Sequence, residues 1–161
     1  MLARISTEVK RWLRDARYLS SFLTAADLLV LMSAILMLLG VFLPWVSADG
    51  LLTATGLMGG GDLHFILALL AIHQVYQVSR LHIRAQRSRG HHALLNRRLQ
   101  RIAFYYLLVG VVSIMASVFT LLTFGSQSTV INGIVDIRFG FYLTACSGLL
   151  IFFGGLERFR R

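Results

Sequence analysis

Five histidines and one cysteine are the side chains of this 161-residue sequence best suited to bind a haem or a metal ion. His64 and His73 are nine residues apart, so on one helix they would point about half a turn away from each other. His91 and His92 have no further ligand at metal-binding spacing, and Cys146 has no second cysteine with which to form a redox pair. The sequence therefore predicts no catalytic residue, no metal site and no cofactor.

The main polar cluster within an otherwise apolar stretch lies at His73 and Gln77. These residues are four positions apart, which places them on one face of a helix. Polar side chains inside a membrane commonly hydrogen-bond to neighbouring helices. We therefore expect interhelical contacts from His73 and Gln77, with haem or quinone binding as the alternative.

The elements that must carry these residues are apolar helices. The sequence is 57% hydrophobic and 14% charged, whereas soluble domains are about one-quarter charged. A helix needs about 20 apolar residues to cross a bilayer. Four stretches that are almost free of charge predict spans at about 25–45, 62–80, 102–124 and 139–156. The predicted fold class is an all-α membrane protein, with residues 25–161 forming a four-helix transmembrane bundle.

Basic residues lie almost entirely on one side of these spans. Of the 16 Lys and Arg residues, five precede the first span, seven lie between the second and third, and three follow the fourth. The exception is Arg138. Because loops rich in Lys and Arg stay in the cytoplasm, this distribution predicts a bacterial inner-membrane protein with cytoplasmic N and C termini.

Two basic segments are predicted on the cytoplasmic side. Residues 1–24 combine apolar and basic residues at helical spacing, which predicts an amphipathic helix in the headgroup layer. Residues 80–101 carry seven arginines and have no helix breaker before Gly90, which predicts a helical hairpin continuing the second and third spans. Five of its arginines are candidate contacts for anionic lipid headgroups or a protein partner: Arg80, Arg84, Arg87, Arg97 and Arg98.

On the opposite side, two loops are predicted to form a small extracytoplasmic cap. In the second loop, residues 129–131 and 134–137 are β-favouring runs on either side of Asn132-Gly133, a strong β-hairpin signal. We expect this hairpin to pack on the first outer loop, because a lone hairpin is marginally stable in water.

Charged residues at this outer face are expected to tether the cap. Pro44 ends the first span, and Asp62 is placed to cap the second span after a glycine-rich turn. Arg138 stands just before the fourth span. We predict that Arg138 pairs with Asp62 or with Asp136.

Small residues recur on single faces of the last two spans. Such residues let helix backbones approach closely in lipid, so we expect these faces to pack against each other or against another subunit. The candidate packing residues are Gly110, Ser113, Ser117, Gly140, Thr144 and Gly148.

The order of these motifs resembles that of small bacterial four-span membrane proteins. Leu43, Pro44 and Trp45 close the first span, Asp62 opens the second, and residues 140–143 open the fourth. The layout is also distantly similar to that of the claudins, in which extracellular strands lie over a four-helix bundle. The claudin cysteine pair and Gly-Leu-Trp triplet are absent. The resemblance therefore implies a layout, and no barrier or adhesion activity.

Three functional hypotheses are compatible with these features. The first is an interaction or scaffold protein, or a subunit of a membrane complex, that contacts lipids and either a protein partner or a second copy of itself. The second is an ion channel formed by self-association, with the first span or the glycine-rich loop lining the pore. The third is a haem- or quinone-binding protein. Enzyme activity is not predicted, and nucleic acid is not an expected partner because the positive charge follows the membrane topology.

Overall fold

The protein is mostly helical, and the computed structural model describes the backbone of residues 23–48, 52–58, 61–87, 92–131 and 135–160. In chain order the elements are α1 (Ala25–Phe42), β1 (Pro44–Ala48), β2 (Leu52–Thr55), α2 (Asp62–Arg87), α3 (His92–Ile131), β3 (Val135–Ile137) and α4 (Phe139–Arg160). The amphipathic helix predicted over residues 1–24 falls outside the described residues, apart from Leu23 and Thr24, which precede α1.

Helix α1 begins with a capping box. Thr24 Oγ1 accepts a hydrogen bond from the backbone N–H of Asp27 at 3.4 Å, and Asp27 Oδ2 accepts one from the backbone N–H of Thr24 at 3.0 Å. The first backbone donors of a helix have no partner within the helix, so these reciprocal bonds stabilise its start. They also hold the Asp27 carboxylate at this end of the bundle.

Among the described residues, three helical segments are long and apolar enough to cross a membrane: Ala25–Phe42, Leu95–Thr123 and Phe139–Arg160. The chain is accordingly a multi-pass membrane protein. Helix α2 does not belong to this set, because His64, His73 and Gln77, with the arginines from Arg80 onward, lower its apolar content.

The four helices pack side by side, so that α1 and α3 each contact both α2 and α4. Their shared core holds fully or almost fully buried side chains from every helix, among them Val30, Met37, Ala68, Tyr106 and Ile151. Beyond the predicted spans, α2 continues to Arg87 and α3 starts at His92, so both arms of the predicted hairpin over 80–101 are helical. Its tip, residues 88–91, lies outside the described residues.

A small antiparallel sheet lies at one end of the bundle, with strand order β2-β1-β3. Strand β1 pairs with β2 from Ala48 opposite Leu52 to Pro44 opposite Thr55. It pairs with β3 on its other edge, where Val46 lies opposite Ile137. Since β1 follows α1 directly and β3 comes shortly after α3, the sheet joins the connection between α1 and α2 to the connection between α3 and α4.

The hairpin predicted around Asn132-Gly133 is wrong in its first strand. Residues 129–131 are the last residues of α3, and only the second run forms a strand, Val135–Ile137. Extending an existing helix adds a hydrogen bond for each residue fixed, whereas a lone hairpin must be nucleated anew. The β-favouring residues of 135–137 instead find a partner in β1, because β propensity depends on the available neighbouring strand. Asn132 and Gly133 lie outside the described residues.

The small residues of α4 meet different neighbours along its length. A Cβ atom added at Gly148 would lie 2.6 Å from Ser113 Oγ of α3, whereas one at Gly140 would lie 2.7 Å from the carbonyl oxygen of Pro44. Thr144, one turn on, faces Gly40 of α1. On α3, an added Cβ at Gly110 would lie 2.7 Å from the backbone of Phe152. The predicted stripe on α4 thus contacts α3 at one position and the α1–β1 segment at two.

Candidate functional site

A buried ion pair joins the start of α1 to the end of α4. Arg158 Nη1 lies 2.9 Å from Asp27 Oδ2, and the two side chains are 7% and 0% exposed. Arg158 Nη1 also donates to Thr24 Oγ1 at 2.9 Å. The carboxylate stands at a helix N-terminus and the guanidinium at a helix C-terminus, so each charge is also favoured by its own helix dipole.

Helix α3 contributes a third group to this cluster. Tyr106 is fully buried, and its hydroxyl donates to Asp27 Oδ1 at 3.4 Å. Thr24 Oγ1 donates to Asp27 Oδ2 at 2.7 Å. Both carboxylate oxygens therefore have partners, as a buried charge requires. The arrangement ties together α1, α3 and α4 at the end of the bundle opposite the sheet.

Asp27 stands at the entry of the first predicted span, a position that predicts an interfacial carboxylate that is solvated or paired with an arginine. It is paired with Arg158, but fully buried. In the sequence, Arg158 is one of three basic residues that follow the last span, and their spacing does not distinguish it from the others. The available signal was the capping pattern Thr24-x-x-Asp27, which fixes a carboxylate at the basic end of the bundle.

A second polar cluster surrounds His64, near the sheet. His64 is fully buried, and its Nε2 lies 3.2 Å from the carbonyl oxygen of Ser113 and 3.1 Å from Ser117 Oγ. A carbonyl only accepts, so in the neutral ring Nε2 carries the hydrogen. Nδ1 is then an acceptor, and it is buried with no hydrogen-bond partner among the described residues. The spacing of His64 in the sequence bears only on haem ligation and does not indicate its contact with α3, which joins residues 49 and 53 positions apart.

Trp45 packs on this histidine and links it to the sheet. The ring centroids of Trp45 and His64 are 5.5 Å apart in an edge-to-face arrangement, and Phe141 packs on Trp45 at the same distance. Trp45 is fully buried, and its Nε1 donates to the carbonyl oxygen of Gly40 at 2.9 Å. A tryptophan at the end of an apolar span is typical of the membrane surface, but Trp45 fills the space between the sheet and helices α1, α2 and α4.

The side chains of His73 and Gln77 contact each other within α2. Gln77 Nε2 lies 3.2 Å from His73 Nε2 on the exposed side of α2. The polar pair is therefore satisfied within its own helix, by an i to i+4 contact. The prediction of an interhelical bond from these two residues is replaced by this local one.

At the end of the bundle that carries the sheet, Arg138 contacts β1. Its Nε donates to Ser47 Oγ of β1 at 2.8 Å, and its backbone N–H donates to the carbonyl oxygen of Trp45 at 2.7 Å. Asp62 is exposed in the first turn of α2. Among the described contacts, Arg138 therefore bonds to β1 and not to Asp62. The side chain of Asp136, the other predicted partner, lies outside the described residues, so that pairing stays a prediction.

The candidate arginines lie on the helical extensions of α2 and α3. Arg80 and Arg84 are exposed on α2, and Arg97 and Arg98 are exposed on α3. Arg87 belongs to α2, but its side chain is outside the described residues. The guanidinium carbon of Arg80 lies 5.0 Å from the centre of the Tyr76 ring, a cation–π distance. Nearby, Arg97 and Arg101 line an open groove with Gln100, Phe104 and Tyr105.

No family model, curated protein or solved structure matches this chain. The geometry of the chain itself therefore carries the functional inference.

The residues suited to cofactor or metal binding do not converge. His64 is buried against α3, whereas His73 is exposed and bonded to Gln77. Cys146 is an exposed thiol on α4. Within the described ranges, no group of three or more His, Cys, Asp or Glu residues is arranged to hold a metal ion. The described side chains that are exposed and able to contact a partner are instead guanidinium and aromatic groups on α2 and α3.

Proposed function

We propose that this protein is a four-span interaction protein of a bacterial inner membrane, acting as a scaffold or as a subunit of a larger complex. Its basic helical hairpin over 80–101 is the cytoplasmic contact surface, and the sheet is part of a small cap on the other side. The observation that carries the proposal is the set of exposed arginines on helices that continue beyond the apolar spans.

The direction of the helices supports α2 as a membrane span in addition to α1, α3 and α4. Helices α1 and α3 run toward the same end of the bundle, because the strands that follow them, β1 and β3, pair there. A chain that crosses a membrane in α1 and again in the same direction in α3 must return between them. Helix α2 has 26 residues, about 39 Å of helix, which exceeds the roughly 30 Å of a hydrocarbon core.

The proposed orientation is tested with reporter fusions. A fluorescent protein joined after Arg89 or Arg161 should fold in the cytoplasm, because basic loops stay on that side. Alkaline phosphatase inserted near Asp49 or Gly133 should be active, since it requires the periplasm. Phosphatase activity from the fusion at Arg89 would contradict the orientation. The same location for the fusions near Asp49 and at Arg89 would show that α2 does not cross the membrane. Opposite locations for the fusions at Arg89 and Arg161 would show that α3 and α4 do not both cross it.

The proposed assembly is tested by measuring mass in native lipid. Polymer-bounded discs extracted from membranes should contain more protein than one 18.0 kDa chain, because a scaffold is expected to be held in a complex. Replacing Arg84, Arg87, Arg97 and Arg98 by Gln should release the additional protein and leave the topology unchanged, since Arg80, Arg89 and Arg101 remain.

A matched control keeps the charge of the same four positions. The variant with Lys at all four should retain the complex if charge is what the partner recognises, whereas it should fail if forked arginine bonds are needed. A mass of a single chain for the parent protein would contradict the proposal. A homo-oligomer would agree with it, and ion flux in liposomes would then decide whether that oligomer is the channel of the second hypothesis.

A further inference from the structure

One groove on α3 combines cationic and aromatic side chains. Its volume is about 380 Å³, and its walls are Arg97, Gln100, Arg101, Phe104 and Tyr105. These residues follow a spacing of three and four, so they lie on a single face of the helix. Arg97 and Arg101 are one turn apart, about 6 Å along the axis, which lets both guanidinium groups approach one phosphate.

The same face changes character along the helix axis. Both arginines are exposed, Phe104 is 56% exposed and Tyr105 is 48% exposed. Further along α3, this side of the helix continues as exposed apolar residues inside the candidate span: Leu108, Val111, Met115 and Phe119. Guanidinium, aromatic and aliphatic groups thus follow one another as the headgroup, interfacial and hydrocarbon layers of a bilayer do.

We propose that this groove binds the headgroup of an anionic phospholipid. The arginines hold the phosphodiester, the aromatic rings cover the glycerol and ester region, and the acyl chains lie along the apolar face of α3. This inference rests on the proposed function, since it places the basic end of the bundle in the cytoplasmic leaflet. A lipid fits the groove better than an acidic peptide does, because the aromatic residues lead directly into the surface that hydrocarbon covers.

Two other exposed arginines, Arg80 on α2 and Arg98 on α3, lie outside the groove. Arg98 is exposed beside Arg97 but does not line the groove, and Arg80 lies over the ring of Tyr76. Diffuse attraction to an anionic membrane would depend on all of these charges equally. A specific site depends on Arg97 and Arg101. Replacing Arg80 and Arg98 therefore serves as a control, because it changes the net charge as much as replacing Arg97 and Arg101 does.

The experiment titrates the purified full chain in non-ionic detergent with dioctanoyl phosphatidylglycerol or dioctanoyl phosphatidylcholine, and measures each bound lipid by native mass spectrometry. We expect the parent protein to prefer phosphatidylglycerol by at least about tenfold. The double variant Arg97→Gln/Arg101→Gln should lose this preference, whereas Arg80→Gln/Arg98→Gln should bind phosphatidylglycerol within about threefold of the parent. Phe104→Ala/Tyr105→Ala should weaken the binding of both lipids, because the aromatic rings that cover the glycerol and ester region are lost.

Three results would overturn the proposal: no preference for phosphatidylglycerol, an equal loss from the two arginine double variants, or equally tight binding of glycerol phosphate without acyl chains. If the first double variant does not fold, Arg97→Gln and Arg101→Gln singly give the same comparison. Binding in detergent is independent of membrane orientation and of protein partners. Failure of the groove would therefore leave the proposed topology and assembly standing, and failure of either of those would leave the measured lipid preference intact.

Discussion

Replacing Arg158 with Gln should lower the stability of the folded protein more than any other single charge removal within the described residues. The change leaves the carboxylate of Asp27 fully buried without its cation, although Thr24 and Tyr106 still donate to it. Loss of one partner from a buried ion pair costs about 3–5 kcal/mol. Thermal unfolding in detergent, followed by tryptophan fluorescence, should show a midpoint lowered by several degrees.

Arg160 provides the matched control for this effect. It stands in the same last turn of α4, but its side chain is exposed, so Arg160→Gln should change stability little. The double variant Asp27→Asn/Arg158→Gln should recover part of the loss, because no uncompensated charge remains. Equal shifts for Arg158→Gln and Arg160→Gln would show that the pair contributes nothing beyond general charge.

Replacing Trp45 with Ala should have a comparably large effect at the other end of the bundle. Trp45 is fully buried, contacts the rings of His64 and Phe141, and bonds to Gly40. Truncation of a buried Trp costs about 3–5 kcal/mol, because the cavity collapses only in part. We expect a lowered thermal midpoint together with faster proteolysis in the first outer loop, since the sheet is joined to the helices through this side chain.

Two further variants separate the effect of the indole hydrogen bond from that of apolar burial. Trp45→Phe keeps most of the apolar volume but removes the indole N–H that donates to Gly40. Loss of this hydrogen bond should lower the stability by about 1–2 kcal/mol, in addition to the cost of the lost apolar contact. Phe139→Ala removes an aromatic ring that is 69% exposed at the start of α4, and it should be nearly neutral. A Trp45→Ala variant as stable as Phe139→Ala would mean that the sheet is not held to the helices by this residue.

Local patterns in the sequence predicted the helices well, because a helix is specified by residues within a few positions of one another. The absence of a breaker between the second span and Gly90 predicted the continuation of α2, which reaches Arg87. The apolar run from Ile102 predicted the third span, and the segment of α3 that is apolar enough to cross a membrane is Leu95–Thr123. The end of α3 was predicted too early, because the β-favouring residues 129–131 were assigned by propensity alone.

The pairing of distant groups was decided only by the tertiary structure. Asp27 and Arg158 are separated by 131 positions, and no local spacing indicates that they meet. They meet because α1 and α4 run in opposite directions side by side, which brings the first turn of one to the last turn of the other. The same reasoning applies to His64, which lies against Ser113 and Ser117 of the neighbouring helix.

The sequence by itself determined where apolar helices lie and how basic residues are distributed between them, because hydrocarbon solvation and charge placement act on each segment separately. The tertiary structure decided which polar groups those helices bury together. A carboxylate or an imidazole is stable inside the bundle only where another helix supplies a partner at hydrogen-bond distance, and that distance is set by the packing of the whole chain.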